Sequence, residues 1–358
     1  MTMPTENKLG ENIIQKQALS SRAILAIFLA AFLIIGGGAA FFIGQKIVTE
    51  RALYSGYFSD LKGIVYFAFA DKDDLAGDLY AFDVRKRTYK RLFDDGFVKY
   101  TGKLSPQGDE IAYFAALLDR TVAPPKFPHN EAIELYVRGI KEVDIAPQPL
   151  TSGSNNSKRL PVWSPDGKRI AFMAILPSAK GEDPLKLRYW GIYLYEDGNV
   201  RVLTRGSYPQ WSPDGTKLVF LREDGLYVYS LETERAEKVH SLPPPVRLTS
   251  KMSLSLDGSK LALSRPLRNN PGGILMIYNI ASWDPFQVEV LKRFDFSDKQ
   301  VYWPVFSPDN RYLLTQEINI SANPDPRIMI YELETYTSRK FSDFSKYNFQ
   351  VSYVTDWR

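Results

Sequence analysis

The sequence predicts an all-β fold: a six-bladed β-propeller that is closed by its C-terminal strand and preceded by one transmembrane helix. Three observations predict it: a turn motif that recurs six times, a strand motif that follows each copy, and an uncharged run near the N-terminus. The 358 residues are 44% hydrophobic and 13% aromatic. That composition suits half-buried strands around a sizeable core.

The turn motif reads Ser-Pro-Asp-Gly, with an aromatic or aliphatic residue before it and a short apolar run after it. Trp163 and Trp211 lead its two clearest copies. Proline presets φ for a turn, Asp bonds its own backbone, and Gly supplies the left-handed residue that closes the turn. The copies begin at Ser59, Ser105, Ser164, Ser212, Ser255 and Ser307. Their spacing of 43 to 59 residues is typical of a four-stranded propeller blade.

A second motif, Leu or Ile followed by Tyr, appears once in every repeat and predicts a further strand. Its tyrosines are Tyr80, Tyr136, Tyr193, Tyr227, Tyr278 and Tyr331. The first repeat begins at its turn and lacks an innermost strand, whereas residues 351–358 resemble the strand that leads into the turn. We therefore expect the last strand to pair beside the first repeat, which closes the ring and removes its free edge.

The segments WSPDGKRIAF and WSPDGTKLVF resemble the repeats of TolB-like β-propellers, which are similar in turn to the propeller domains of prolyl-oligopeptidase-type peptidases. The resemblance covers residues 59–358 and implies the six-bladed fold. It implies little about function, because propellers support many unrelated roles. TolB carries an α/β domain ahead of its propeller, and we expect none here because only residues 45–58 are available for it.

Residues 23–44 form an uncharged run of 22 residues between Arg22 and Lys46. A helix rises about 1.5 Å per residue, so this run is long enough to cross the roughly 30 Å core of a bilayer. We predict a retained membrane anchor. The alternative is a cleavable signal peptide, for which the small residues 38–40 provide a cleavage site.

The predicted organisation has four parts. Residues 1–22 form a disordered cytoplasmic tail, residues 23–44 the transmembrane helix, residues 45–58 a linker, and residues 59–358 the propeller. A slight excess of basic residues on the N-terminal flank favours that terminus inside. We therefore expect a single-pass membrane protein whose propeller lies outside the cytoplasm, at a bacterial cell surface or in the periplasm.

Composition excludes several kinds of chemistry. The chain has no cysteine, so it has no disulfide, thiolate nucleophile or Cys-ligated zinc. Lys and Arg number 45 against 41 Asp and Glu, a balance that argues against a nucleic-acid partner. The two histidines, His129 and His240, lie far apart in sequence. We expect each to be solvated or packed, because no catalytic partner motif accompanies it.

No recognised catalytic motif appears in the sequence: it has no nucleophile elbow, phosphate-binding loop, dinucleotide-binding turn or zinc-protease helix. Four repeated aspartates occupy equivalent turns and are explained by turn chemistry: Asp166, Asp214, Asp257 and Asp309. An acidic cluster leaves calcium binding open, but its spacing departs from the EF-hand and favours a solvated loop: Asp71, Asp73, Asp74 and Asp78. We predict no catalytic residue, no metal site and no cofactor.

Long loops predict where a partner binds. In blades 2, 3, 5 and 6 the loop between the second and third strands is long, and all these loops lie on one rim, opposite the Ser-Pro-Asp-Gly turns. Arg and aromatic side chains are favoured interface anchors. The predicted rim residues are Arg120, Lys126, Arg188, Tyr189, Trp190, Arg265, Arg268 and Arg327. We expect this rim to face away from the membrane.

The sequence therefore favours a module that binds a protein, peptide or glycan. Two alternatives stay open. One is a propeller enzyme, a hydrolase or lyase with its site in the central funnel. The other is a regulatory propeller for a separately encoded peptidase.

Overall fold

Six antiparallel β-sheets, arranged as the blades of a propeller, account for the regular structure in the computed structural model of the chain. The structure describes residues 61–71, 77–86, 88–93, 95, 97–117, 133–141, 147–152, 158–177, 189–242, 250–266, 272–319, 326–342 and 349–358. The predicted tail, transmembrane helix and linker lie outside these residues. Within them, no helix has the length and apolar character needed to cross a membrane.

The first two blades differ in strand number. Blade 1 consists of β1 (Ile64–Asp71), β2 (Gly77–Asp83), β3 (Thr88–Arg91) and β23 (Phe349–Trp357). Blade 2 consists, in its described part, of β4 (Phe97–Leu104), β5 (Glu110–Leu117) and β6 (Glu134–Gly139). Beside β6, Pro149 forms an isolated bridge with Tyr136, and the N–H of Leu150 donates to the carbonyl oxygen of Leu135 at 2.7 Å. The sequence predicts a fourth strand here, and residues 142–146, which precede this bridge, lie outside the described residues.

The other four blades each have four strands. Blade 3 consists of β7 (Arg159–Trp163), β8 (Arg169–Ile175), β9 (Trp190–Glu196) and β10 (Asn199–Arg205). Blade 4 consists of β11 (Ser207–Trp211), β12 (Lys217–Arg222), β13 (Gly225–Ser230) and β14 (Arg235–Ser241). Blade 5 consists of β15 (Lys251–Leu254), β16 (Lys260–Pro266), β17 (Gly273–Trp283) and β18 (Phe286–Asp295). Blade 6 consists of β19 (Lys299–Phe306), β20 (Tyr312–Asn319), β21 (Pro326–Glu332) and β22 (Ser338–Ser342).

The last strand closes the ring, as predicted. β23 pairs with β1 in antiparallel register, so that Trp357 lies opposite Val65. The backbone N–H of Arg358 donates to the carbonyl oxygen of Ile64 at 2.9 Å. The N–H of Ile64 donates to the carbonyl oxygen of Arg358 at 2.5 Å. The six-bladed propeller predicted from the repeats is therefore confirmed.

The Ser-Pro-Asp-Gly turns are held by their own side chains. In blade 4, the hydroxyl of Ser212 donates to Asp214 at 2.6 Å and accepts the N–H of Lys217 at 2.9 Å. The same pair of bonds recurs at Ser164, Ser255 and Ser307. The hydrogen bond from Ser164 lowers the pKa of Asp166. These bonds use the repeated aspartates within their turns, where sequence reasoning placed them.

Each inner hairpin packs against its neighbours through apolar strands that are buried on both faces. In β12, for example, Leu218, Val219, Phe220 and Leu221 are all fully buried. This burial explains why the runs after the turns are apolar throughout instead of alternating. The innermost strands of the six blades then surround the axis of the ring.

Candidate binding site: the central channel

A central channel passes between the innermost strands β4, β7, β11, β15, β19 and β23. In five blades, the residue four positions before the turn serine lines the channel: Thr101, Leu160, Tyr208, Lys251 and Trp303. Val354 of β23 lines it from blade 1. Together these residues surround a cavity of about 70 Å³, which we call the channel cavity.

Three of these side chains lie at β-bulges. Leu160, Tyr208 and Trp303 have positive φ angles of 56°, 58° and 51°, and each precedes a proline. The strand register shifts at the same three positions. A bulge bends its strand and re-aims a side chain, and non-glycine residues with positive φ persist only where the surrounding structure holds them. The repeated bulge therefore belongs to the construction of the channel wall.

Lys251 is the ionisable centre of the channel cavity. Its Nζ donates a hydrogen bond of 2.7 Å to the Tyr208 hydroxyl and lies 4.4 Å from the centroid of the Trp303 ring. The ring contact favours the protonated amine. Burial acts in the opposite direction, and with the positive charge of Arg159 it lowers the pKa of Lys251 to about 7. This amine therefore gains or loses its proton near neutral pH.

Arg159 brings a second positive charge close to Lys251. It directly precedes Leu160 in β7, and its side chain is exposed. Its guanidinium carbon lies 5.6 Å from the ring centroid of Trp190, which is fully buried. Because the charge of Arg159 lowers the pKa of Lys251, the two cations are close enough to repel each other.

On the side of the Ser-Pro-Asp-Gly turns, the channel widens into an opening of about 330 Å³, which we call the vestibule. Its apolar lining includes Pro106, Trp163, Pro165, Trp211, Pro213 and Leu256. Leu256 replaces the proline of the turn motif and is 59% exposed. Five residues line both the vestibule and the channel cavity, so the two are continuous: Lys103, Val162, Gln210, Ser253 and Val305.

The two vestibule tryptophans also join neighbouring blades. The indole N–H of Trp163 donates to the carbonyl oxygen of Lys103 at 3.0 Å, and that of Trp211 donates to Val162 at 3.1 Å. Each bond crosses from one blade to the innermost strand of the preceding blade. The rings are thereby fixed in position with their polar atoms satisfied. Trp211 is buried in a core cluster, whereas Trp163 is half-buried and keeps part of its surface accessible.

An ion pair lies where the vestibule meets the channel cavity. Lys103 Nζ lies 2.8 Å from Asp356 Oδ1, which joins β4 to β23. Asp356 Oδ2 accepts the N–H of Leu104 at 3.2 Å. Burial raises the pKa of Asp356, but Lys103, Arg358 and the hydrogen bonds outweigh it and hold that pKa below its ordinary value. Lys103 is thus electrostatically balanced by Asp356.

The structure describes four of the eight predicted rim residues. Tyr189 and Arg327 are half-buried, whereas Trp190 and Arg265 are buried. Trp190 begins β9 and packs with Tyr208 and Met252 in a core cluster, so it supports the blades and presents no surface to a partner. Four residues lie outside the described part of the chain: Arg120, Lys126, Arg188 and Arg268. Partner binding at this rim stays a prediction.

The remaining candidate residues lie away from the channel cavity. The ring centroid of His240 lies 5.5 Å from that of Tyr278 in an edge-on contact, and burial lowers its pKa. His129, Asp73 and Asp74 lie outside the described residues. Asp78 is buried and paired with Arg91 and, at 3.1 Å, with Lys99. Across the described ranges, no three His, Asp or Glu residues are grouped as metal ligands would be.

Sequence reasoning did not select Lys251, Tyr208 or Trp303. A signal for them is present in the repeats, because all three lie four residues before a turn serine. Aligning that position across the repeats shows Thr, Leu, Tyr, Lys and Trp, a set too varied to be an interchangeable core position.

No protein-family model matches the sequence, and no curated protein matches it. Solved structures share the fold. TolB from Acinetobacter baumannii is 18% identical, with a TM-score of 0.57 over 86% of this chain and 69% of its own. An oligogalacturonate lyase from Vibrio parahaemolyticus is 12% identical, with a TM-score of 0.51 over 79% of this chain and 80% of its own. Kuenenia stuttgartiensis hydrazine synthase is 13% identical, with a TM-score of 0.55 over 81% of this chain and 46% of its own.

Proposed function

We propose that the chain is a membrane-anchored β-propeller that binds a protein, peptide or glycan outside the cytoplasm. The observation that carries the binding function is the vestibule, because it is a concave opening of mixed polar and apolar lining that continues into the channel cavity. The anchor is supported by the uncharged run at residues 23–44.

The vestibule has the chemistry of a site for an extended chain. Its volume of about 330 Å³ falls within the range of small ligand sites, and it combines apolar surface with a few convergent polar groups. The half-buried ring of Trp163 and the exposed side chain of Leu256 provide apolar surface, while Gln210 and Ser253 provide hydrogen-bonding groups deeper in the channel. Such a site accepts one or two units of a peptide or glycan, with the rest of the chain outside.

The test is binding of the full-length, detergent-solubilised chain to peptide and glycan arrays. Leu256→Asp places a charge on the exposed apolar surface of the vestibule, and we expect it to abolish the array signals. Val290→Asp is the matched control, because Val290 is 50% exposed on the outer strand β18. If both variants bind like the wild type, the ligand site is elsewhere, and the long-loop rim is then tested with Arg120→Ala and Arg327→Ala.

The membrane anchor is tested separately. Full-length protein is expected in the membrane fraction after carbonate extraction, and a chain beginning at residue 46 in the soluble fraction. External protease should digest the propeller of intact spheroplasts if it lies outside the cytoplasm. Recovery of the full-length chain in the soluble fraction, with a shortened N-terminus, would instead support a cleaved signal peptide.

A second candidate function is an enzyme with its site in the channel. It is favoured by the contact between Lys251 and Tyr208, because an amine with a pKa of about 7 is suited to accept and donate protons at neutral pH. The test is incubation with peptide and glycan pools, followed by mass spectrometry of the products. Turnover by the wild type that is lost in Lys251→Met would favour this function over binding alone.

A further inference from the structure

We propose that two copies of the chain pair edge to edge through β18, the outermost strand of blade 5, in an antiparallel arrangement centred between Val290 and Leu291. The partner of this edge is a second copy of the same chain. The surface is separate from the vestibule, so the inference goes beyond the proposed binding function and does not depend on it.

The strand β18 is the longest of the described outer strands. It has ten residues, whereas β3, β10, β14 and β22 have four, seven, seven and five. Among the described strands it pairs with β17 alone, so its other edge has no strand partner there. Val290 and Leu291, at its centre, are 50% and 41% exposed. A long apolar edge of this kind is a template for pairing with another chain.

A β-bulge determines which side chains of β18 share a face. The pairing with β17 skips Leu291, which is therefore the extra residue of the bulge. Glu289 lies opposite Asn279, and Lys292 lies opposite Ile277. Residues two apart on a strand share a face, so Glu289 and Lys292 share one although they are three apart. Similar register shifts occur beside β10, β14 and β22, so the bulge is a general feature of these blades.

The two charges on this face have no ionic partner within the described part of the chain. Glu289 is exposed and forms no ion pair with a described residue. The Nζ of Lys292 lies 5.6 Å and 5.1 Å from the ring centroids of Phe294 and Tyr336, and no described carboxylate pairs with it. The strand therefore presents one acidic and one basic group on the same face, on either side of its apolar centre.

Antiparallel pairing about the midpoint of Val290 and Leu291 matches these charges. It places Glu289 of each copy opposite Lys292 of the other, on the same face of the joined sheet. Val290 of each copy then lies opposite Leu291 of the other, which covers the exposed apolar side chains. Both copies use the same edge, so the assembly closes at two copies and leaves no edge of β18 for a third.

The dimer would keep both channels accessible. The channel runs between the innermost strands, whereas β18 is the outermost strand of its blade. Each dimer therefore carries two vestibules. A ligand with two binding segments would be held more tightly by the dimer than by a single propeller, because its second segment binds at a high effective concentration.

Sedimentation equilibrium of the full-length, detergent-solubilised chain between about 1 and 100 µM tests the proposal. We expect a reversible equilibrium between monomer and dimer. Glu289→Lys places lysine opposite lysine in both pairs, and Lys292→Glu places glutamate opposite glutamate. Each variant should dimerise at least about tenfold more weakly than the wild type. Glu237→Lys makes the same charge change on the exposed outer strand β14, and this matched control should dimerise like the wild type.

Mixing the two interface variants tests the register. A Glu289→Lys copy and a Lys292→Glu copy place opposite charges in both pairs, so the mixture should form a mixed dimer although neither variant dimerises well alone. The double variant Glu289→Lys/Lys292→Glu should dimerise like the wild type for the same reason. Restored dimerisation also shows that each single variant is folded at this edge.

Four results would overturn the proposal: a wild type that stays monomeric, association that continues beyond the dimer, a Glu289→Lys chain that dimerises like the wild type, or a mixture that forms no mixed dimer. Failure of the proposed binding function is distinguishable from all four. Leu256→Asp should abolish the array signals and leave the dimer intact. Val290→Asp should dissociate the dimer and keep the array signals, because each copy retains its own vestibule.

Discussion

The indole N–H of Trp357 donates a hydrogen bond of 2.9 Å to the carbonyl oxygen of Lys62, and so joins the last strand to the segment ahead of the first. The same tryptophan lies opposite Val65 in the pairing of β23 with β1. The ring is therefore closed by side chains as well as by the backbone. At this seam, the two paired strands β1 and β23 come from opposite ends of the propeller sequence and no short loop joins them. We therefore expect the non-covalent interactions at the seam to contribute strongly to stability.

The first prediction concerns Asp356 at this seam. Asp356→Asn should lower the free energy of unfolding by about 2 kcal/mol at pH 7, because it leaves Lys103 without its carboxylate partner. Urea denaturation followed by circular dichroism measures the change. The pKa of Asp356 is lowered in the folded state, so its contribution is present above the ordinary carboxyl pKa and is lost as the pH falls through the folded pKa.

The control is Asp295→Asn, which removes a pair with Arg293 in which both side chains are about half exposed. Exposed pairs contribute little, so we expect a change below about 0.5 kcal/mol. Equal effects of Asp295→Asn and Asp356→Asn would show that the seam ion pair has no special role.

The second prediction compares two turn glycines with nearly the same backbone conformation. Gly108 and Gly258 have φ angles of 77° and 71°. A Cβ at Gly258 would lie 2.3 Å from Cγ of Pro213 in the neighbouring turn, whereas a Cβ at Gly108 would meet nothing within 4 Å. Gly108→Ala should cost about 1 kcal/mol for its conformation alone. Gly258→Ala should cost more, because Pro213 must also move.

Thermal unfolding of both variants measures the difference, which reports how rigidly the turns of blades 4 and 5 are packed together. Equal melting temperatures would mean that the Pro213 turn shifts freely to accommodate the added methyl group.

The sequence predicts the ring and its closure because local sequence motifs identify each repeat and the closing strand. Each Ser-Pro-Asp-Gly turn is held by bonds among residues within five positions, as at Ser212 and Lys217, so the motif alone predicts it. The channel cavity is different. Tyr208 and Lys251 are 43 positions apart, and only the packing of blade 4 beside blade 5 brings them within hydrogen-bonding distance. Lys251 reads in sequence as an ordinary polar residue at the start of a strand.

For the long-loop rim, loop length predicts which end of the blades carries the long connections. It does not predict which side chains near those loops are buried. Trp190 follows one of these loops and was predicted to contact a partner, yet it lies in the core with Tyr208 and Met252. A large aromatic residue next to a loop is as well suited to cover the end of a core as to form an interface.

The third prediction follows from that burial. Trp190→Ala should lower the free energy of unfolding by about 3–5 kcal/mol, because it leaves a large cavity among packed side chains. Loss of partner binding by this variant would therefore report a damaged fold.

Arg327→Ala is the informative variant for the rim, since Arg327 is half-buried and its removal should change stability by less than about 1 kcal/mol. Denaturation curves measured beside the binding assays separate the two effects, and a Trp190→Ala protein as stable as the wild type would contradict its assignment to the core.

The fourth prediction is that stability rises with pH between about 7 and 9 because of Lys251. Its pKa is about 7 in the folded protein against 10.5 ordinarily, so in this range the unfolded chain holds a proton that the folded chain has released. The state that binds more protons is disfavoured as the pH rises, so unfolding becomes less favourable. Lys251 lines an open cavity, and we expect the free energy of unfolding to rise by about 1 kcal/mol across this interval.

Lys251→Met removes the titrating group. The free energy of unfolding of this variant should therefore change less with pH, and it should exceed that of the wild type most clearly near pH 6. Urea denaturation at pH 6, 7, 8 and 9 measures both curves. Lys90→Met, on the exposed outer strand β3, is the control and should follow the wild type. Parallel curves for the wild type and Lys251→Met would show that Lys251 remains protonated throughout, and the channel cavity would then hold a permanent cation.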